Sequence, residues 1–294
     1  MDTRVRQGGI VIDTTPAIAP AIAVAKPGIA AGVALAGLAG MSLAAGGMPE
    51  PKAAILCTTC IVMAASGSAI INVVLEASTD SLMPRVRPRL AALNRLGPAN
   101  AAAIAVTLIL ASLALSYIFI NPVTCALILA AVISYLFMYT LYAKRRSPYG
   151  TVVGGLPGAL PVLIGYASVK PALGLDGIIL FMVMLLWQPP HFLALALKHK
   201  DEYGASGTPV MPVAFGEPYT KTFIFIYGTA LPFLTASLWL LGYRTALFGV
   251  YSLLLGAAFL IAYYMYVVRS ERYGRAFGAS IAYIMAVLIG VVAT

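Results

Sequence analysis

Asn72, Glu76 and Asp80 follow one another at four-residue intervals in the stretch N-V-V-L-E-A-S-T-D-S-L-M-P-R-V-R-P-R, residues 72–89. If the apolar run before them continues as a helix, the three side chains form one polar stripe on one face. Oxygen ligands at that spacing suit a hard divalent cation such as Mg²⁺. Arg85, Arg87 and Arg89 follow within one short span, and guanidinium groups bind phosphate oxygens bidentately. Together these residues read as a Mg²⁺–diphosphate site at the mouth of a membrane protein. The plainer reading is a membrane-edge loop whose charges sit among lipid headgroups.

A second stretch, K-H-K-D-E-Y-G-A-S-G-T-P-V-M-P-V at 198–213, again sets acids, Asp201 and Glu202, beside bases, Lys198 and Lys200. Two carboxylate clusters facing each other across a bundle are what two Mg²⁺ ions bridging a diphosphate require. Carboxylates alone would repel a diphosphate, and the metals reverse that sign. Lys144, Arg145 and Arg146 end another apolar run, behind Tyr139 and Tyr142. Taken alone they are a charge anchor flanked by interface aromatics. Gln188 and His191 lie in L-W-Q-P-P-H-F, where polar residues and prolines inside an apolar run are costly. A lone histidine in such a place is usually a satisfied packing residue; this one lies close to the second acidic stretch, so a site role stands beside the packing one. Cys57 and Cys60 form C-T-T-C inside an apolar run, with only Cys125 besides, a poor set for a redox or metal site.

The elements that must position these residues are membrane helices. The chain is 61% hydrophobic and 10% charged, with a mean hydropathy of +0.93, where a soluble domain carries about a quarter charged residues. Continuous rather than alternating apolar runs exclude a transmembrane barrel. About nine spans are expected, at 29–45, 53–75, 99–119, 123–142, 151–169, 177–197, 222–241, 246–268 and 277–293, in an all-α integral membrane protein. Residues 1–26 read as a tail with a surface-lying segment and 27–294 as a single domain. Arg4 and Arg6 precede an interrupted stretch with Asp13, Pro16 and Pro20, not the clean apolar core of a cleavable leader.

The net charge of +9 speaks of topology rather than of nucleic acid. All lysines and arginines except Lys52, Lys170 and Arg244 fall in the N-terminal segment or in the loops after spans 2, 4, 6 and 8. Basic residues collect on the cytoplasmic side, so the N-terminus and both acidic stretches are expected there, in a multi-pass protein of the cell (inner) membrane.

The two acidic stretches resemble those of the intramembrane prenyltransferases of the ubiquinone-biosynthesis (UbiA) type. More narrowly, residues 139–165 with their glycine and proline series, W-Q-P-P-H-F at 187–192, and 203–213 ending in P-V-M-P-V are similar to the protohaem IX farnesyltransferases, or haem O synthases. Lys26-Pro27 and 275–283 are similar too. The resemblance implies a bundle around a central cavity that opens toward the lipid, with its active-site loops on the cytoplasmic side. It implies transfer of a farnesyl group from farnesyl diphosphate to a vinyl group of protohaem IX (haem b), giving haem O for haem–copper terminal oxidases. A downstream haem-modifying enzyme or oxidase assembly would be a partner, alongside membrane lipid. By the motif match Asn72, Glu76 and Asp80 would hold Mg²⁺ from the first stretch, and Glu202 with Asp201 from the second. Arg85, Arg89, Lys144 and Arg145 would hold the diphosphate, which makes Asp80, Glu76, Glu202 and Lys144 the catalytic set. Tyr139 joins the substrate contacts, and Gln188 and His191 are candidates for haem contact. The chain departs from the family where Glu76 and Glu202 replace the usual Asp, at Val86, in the R-P-R-L order, and at Gly150. The alternatives are a related prenyltransferase with a quinone-precursor or lipid acceptor and, from another class, a membrane transporter built on internal repeats.

Overall fold

In lipid a helix satisfies every backbone group within its own segment, and the chain follows that constraint almost throughout. A computed structural model of the chain describes residues 4–7, 10–13 and 18–294. A two-stranded antiparallel ribbon, β1 (Arg4–Gln7) and β2 (Ile10–Asp13), is the one departure from helix among the described elements. Next come α1 (Ile18–Val24), α2 (Pro27–Ala45), α3 (Pro51–Asp80), α4 (Arg87–Leu96) and α5 (Pro98–Phe119). α6 (Pro122–Ile133) runs through a π-helical stretch, Ser134–Ala143, into α7 (Lys144–Arg146). α8 (Gly150–Val153), α9 (Gly155–Val169), α10 (Leu175–Lys198), α11 (Lys200–Ala205), α12 (Met211–Ala214) and α13 (Gly216–Leu240) follow. α14 (Ala246–Tyr263) ends in a second π stretch, Tyr264–Arg269, and α15 (Tyr273–Ala293) closes the chain.

Among the described residues eight runs are long and apolar enough to cross a membrane, and α9 is apolar but shorter. Their starts are set locally. Pro27, Pro51, Pro98 and Pro122 each occupy the first helical position, where the missing N–H leaves nothing unsatisfied. Glu50 and Asn121 cap α3 and α6 by accepting from Ala53 N at 2.7 Å and Thr124 N at 2.8 Å. The helix of the second span continues past residue 75 and carries the polar stripe to Asp80, as the four-residue spacing requires. Two expectations change. The fifth is not continuous over 151–169; it is broken between α8 and α9, after a glycine-rich start. The stretch after Met83 is not a loop: it forms a 3₁₀ turn, Pro84–Val86, and then α4, because Ala92, Leu93 and Leu96 have an apolar seat against Val24, Ile70 and Val73.

Tight helix contacts lock the bundle around the site. A Cβ at Gly40 of α2 would collide with the Val162 carbonyl of α9, and one at Gly165 of α9 with the Gly37 carbonyl of α2. Small residues are the usual means of such approach in membranes. Gly165→Ala should therefore lower the unfolding temperature in detergent, by about 1–3 kcal/mol of overpacking strain. Gly28→Ala, at a position with nothing within 4 Å, should leave it unchanged. Equal melting curves for the two variants would refute this packing.

Candidate active site

One end of the bundle gathers the charged motifs. Asn72, Glu76 and Asp80 are all buried on the last turns of α3, at 3%, 4% and 8% exposure, in one stripe as their spacing requires. Asn72 and Glu76 each meet a lysine from elsewhere. Lys144 donates to both oxygens of Glu76 at 2.7 Å. Lys26 donates to Asn72 Oδ1 at 2.7 Å, and Asn72 Nδ2 donates to Thr140 Oγ1 at 3.1 Å. Arg145 donates to the Leu75 carbonyl at 3.1 Å. Lys26, Arg89, Lys144 and Glu76 all lie near enough to Asp80 to act on its charge.

The π stretch aims Lys144. The Lys144 N–H bonds to the carbonyl of Tyr139, five residues back, and the Thr140 hydroxyl donates to the Tyr135 carbonyl at 2.9 Å. Turns of the i→i+5 kind take in an extra residue each and recur at functional sites. Tyr139 lies in the same stretch, 5.8 Å ring to ring from Tyr135, and covers Gly154, where a Cβ would strike its ring. Gly150 is equally constrained against Ala143 and Lys144.

The second half of the site comes from α11. His199 Nδ1 lies 3.1 Å from Glu202 Oε1. Glu202 Oε2 is buried without a hydrogen bond, 3.5 Å from Arg85 Nε. Arg85 also donates to the Tyr203 hydroxyl at 2.9 Å and lies over its ring. Arg85 thus joins the two motifs. Asp201 does not join them: it is exposed on α11, because neighbouring residues of a helix point about 100° apart, and Glu202 takes the inward direction.

Gln188 and His191 lie farther along α10 and are not part of this ionic cluster. His191 stacks between Trp187 and Phe277, each at 4.4 Å, with Nδ1 2.7 Å from Ser280 Oγ. Gln188 packs against Gly155 and Gly158 of α9. Lys26 is the residue that sequence reasoning passed over. It entered only the count of basic residues and the Lys26-Pro27 resemblance, yet it sits at φ 55°, a strained left-handed conformation for a non-glycine residue, and reaches 46 positions along the chain. Burial, then Arg89, pushes its pKa down to about 8.

The donor chemistry fits a hard cation such as Mg²⁺. Glu202 Oε2 is an orphaned buried oxygen, and Asp80 makes no side-chain ion pair among the described residues. The acids are not gathered into one cage, and no group of three or more His, Cys, Asp or Glu side chains among the described residues is placed to hold an ion. The Asp80 carboxylate has no hydrogen-bonding partner among the described residues, and Glu202 Oε2 has only its 3.5 Å ion pair with Arg85.

The profile of the UbiA prenyltransferase family matches residues 33–294. The chain belongs to that family. It is 46% identical over 252 residues to a protoheme IX farnesyltransferase of Geotalea uraniireducens, covering 86% of this chain and 97% of the relative. It is 34% identical over 266 residues to a protoheme IX farnesyltransferase of Bradyrhizobium diazoefficiens, covering 89% and 84%. Its fold matches the UbiA homologue of Aeropyrum pernix K1 with a TM-score of 0.70 at 18% identity, over 90% and 98% of the two chains. It also matches the Archaeoglobus fulgidus homologue bound to DMAPP and Mg²⁺, with a TM-score of 0.62 at 15% identity, over 93% and 99%. The chain is accordingly a membrane-embedded prenyltransferase.

The lowered pKa of Lys26 gives a signed test. Its folded value lies below the ordinary lysine value of 10.5, so the unfolded chain binds more protons between about pH 8 and 10.5, and stability rises with pH there. Wild type should gain stability across that window relative to Lys26→Met, followed by denaturation at fixed detergent. Prenyl transfer should fall as the ammonium is lost above about pH 8, and Lys26→Arg should move that alkaline limb upward. An unmoved limb would remove Lys26 from the site.

Proposed function

We propose that this chain transfers the farnesyl group of farnesyl diphosphate to a vinyl group of protohaem IX, giving haem O. The observation that carries the reading is the 46% identity to a protoheme IX farnesyltransferase across 97% of that relative's length. The site chemistry agrees with it. Lys26, Arg85, Arg89, Lys144 and Arg145 border the carboxylates of Glu76, Asp80 and Glu202. Five cations beside three acids form a place for a group with several negative charges.

In this reading Asp80 and Glu202 would hold Mg²⁺, and Asn72 and Glu76 would join when their lysine partners turn to the diphosphate. Mg²⁺, when bound, neutralises the diphosphate so that an allylic leaving group can depart. Lys144 and Lys26 exchange their present partners for phosphate oxygens, and Arg85, Arg89 and Arg145 hold the rest. Arg85 and Arg145 are already held by the Tyr203 hydroxyl and the Leu75 carbonyl, and donors fixed before substrate arrives are those that lower a barrier by charge stabilisation. The apolar bundle keeps bulk water from the allylic cation until the vinyl group attacks it. The diphosphate leaves with the bonding electron pair, and one water then adds to the carbon left cationic by that attack and loses a proton, giving the hydroxyl of haem O. Gln188, with an amide that makes no hydrogen bond among the described residues, contacts the macrocycle, and Tyr139 borders the substrate. The positive-inside distribution places the N-terminus and the site at the cytoplasmic face of the cell membrane. The product passes to a haem-modifying enzyme or to oxidase assembly.

Membranes containing the protein, given protohaem, farnesyl diphosphate and Mg²⁺, should yield a farnesylated haem by mass spectrometry. Asp80→Ala and Glu202→Ala should each reduce the rate at least about 100-fold, and chelation of Mg²⁺ should abolish it. Transfer to a quinone precursor or a lipid in place of haem would overturn the acceptor while leaving the diphosphate site standing.

A further inference from the structure

Two backbone irregularities lie away from the prenyl-transfer site and are not explained by it. One is the π stretch Tyr264–Arg269 that ends α14. The other is Glu271, a non-glycine residue at φ 51°. Strain of this kind persists where the surroundings enforce it and gathers at functional places. Both border one groove of about 590 Å³ between α13 and the end of α14, lined by Pro218, Lys221, Phe225, Ile226, Thr229 and Val268 among others.

The groove has a polar rim and a greasy floor. Residues 218, 221, 222, 225, 226 and 229 form one face of α13, running about 16 Å from rim to base at 1.5 Å per residue. Ile226 and Val268 on its walls are 58% and 45% exposed. At the rim the left-handed turn at Glu271 returns its carboxylate to Lys221, at 2.7 Å. Tyr273 donates to Glu217 Oε2 at 2.9 Å and Lys200 to Glu217 Oε1 at 3.2 Å. These bonds hold the Lys221 ammonium at the mouth. Just outside it Arg269, Arg272 and Arg275 are exposed, and none of them makes an ion pair or hydrogen bond through its side chain among the described residues.

We propose that this groove binds one anionic phospholipid of the adjoining leaflet, with an acyl chain along α13 and the phosphate between Lys221, Arg269 and Arg272. Charge complementarity selects this occupant. Glu217 and Glu271 are spent on Lys200 and Lys221, which leaves the arginines as net positive charge at the depth of the headgroups, where each basic residue favours an anionic lipid. The apolar floor takes a hydrocarbon chain and offers a soluble anion nothing. Thr222→Trp and Ile226→Trp fill the groove. Arg269→Gln with Arg272→Gln removes the two free charges assigned to the phosphate. None of these residues belongs to the prenyl-transfer machinery.

The test is native mass spectrometry of the full chain in detergent, titrated with phosphatidylglycerol or with phosphatidylcholine of the same acyl chains. One phosphatidylglycerol should be retained in preference, by about fivefold per arginine. The double glutamine variant should lose that preference, and Ile226→Trp should lose the bound lipid altogether, while both keep wild-type prenyl transfer as proof of folding. Equal retention of the two lipids, or retention of phosphatidylglycerol undiminished in Ile226→Trp, would overturn the site. If Ile226→Trp fails to fold, Thr222→Trp carries the same comparison from the other end of the groove.

Discussion

The ion pair between Lys144 and Glu76 is the constraint on which the charged end of this bundle rests. Glu76 is 4% exposed, and both its oxygens accept from one ammonium at 2.7 Å. A carboxylate taken from water into such a place is tolerated only with a partner, and removing one member of a buried pair costs about 3–5 kcal/mol. The pair ties the end of α3 to the end of the α6–α7 run, two elements 68 positions apart. The π stretch before Lys144 and the broken start of the fifth span both serve it. The first sets the face on which Lys144 emerges, and the second brings Gly150 and Gly154 against Ala143 and Tyr139, where no side chain would fit.

How much of this was legible in the sequence follows from what kind of order each feature uses. Asn72, Glu76 and Asp80 could be read because their spacing matches a helix, a local property. The span count could be read because hydrophobic length is local too, and the proline-first helix starts reinforce it. Lys26 could not, because its role depends on a left-handed backbone and on a partner far along the chain. Nor could the choice between Asp201 and Glu202, which are adjacent in sequence and point about 100° apart on α11. Arg85 was in the expected set, but its bridge to Glu202 and Tyr203 rests on the packing of α11 beside the 3₁₀ turn. The amphipathic α4 was legible in principle: Ala92, Leu93 and Leu96 share a face, a signal easily masked by three arginines and two prolines.

The W-Q-P-P-H-F stretch shows the difference between a motif and a site. Trp187 Nε1 donates to the Ser280 carbonyl at 2.8 Å, His191 meets the Ser280 hydroxyl, and Phe277 closes over the imidazole. Tyr263 donates to the Pro190 carbonyl at 3.2 Å, inside a helix segment where two prolines have already removed backbone donors. The residues of the motif that look most chemical thus hold α10 against α14 and α15. A histidine clasped on both ring faces is a fixed element, and whatever it does to a substrate it does from one edge.

Taken together, the charged end of the bundle is a set of acids and bases that satisfy one another before any substrate is present. Apart from Arg89, each cation expected to meet a diphosphate already has an oxygen partner in Asn72, Glu76, Glu202 or the Leu75 carbonyl. That arrangement resolves a conflict inherent in the chemistry. A site strong enough to bind a highly charged diphosphate at a membrane edge would, if left unpaired, be too costly to fold. Pairing cations with acids makes the empty site tolerable, and the same acids are suited to the metal that makes the filled site neutral. Exchange of partners on binding then separates the stability of the fold from the affinity of the site, and it explains why acidic residues belong at the centre of a site built for an anion.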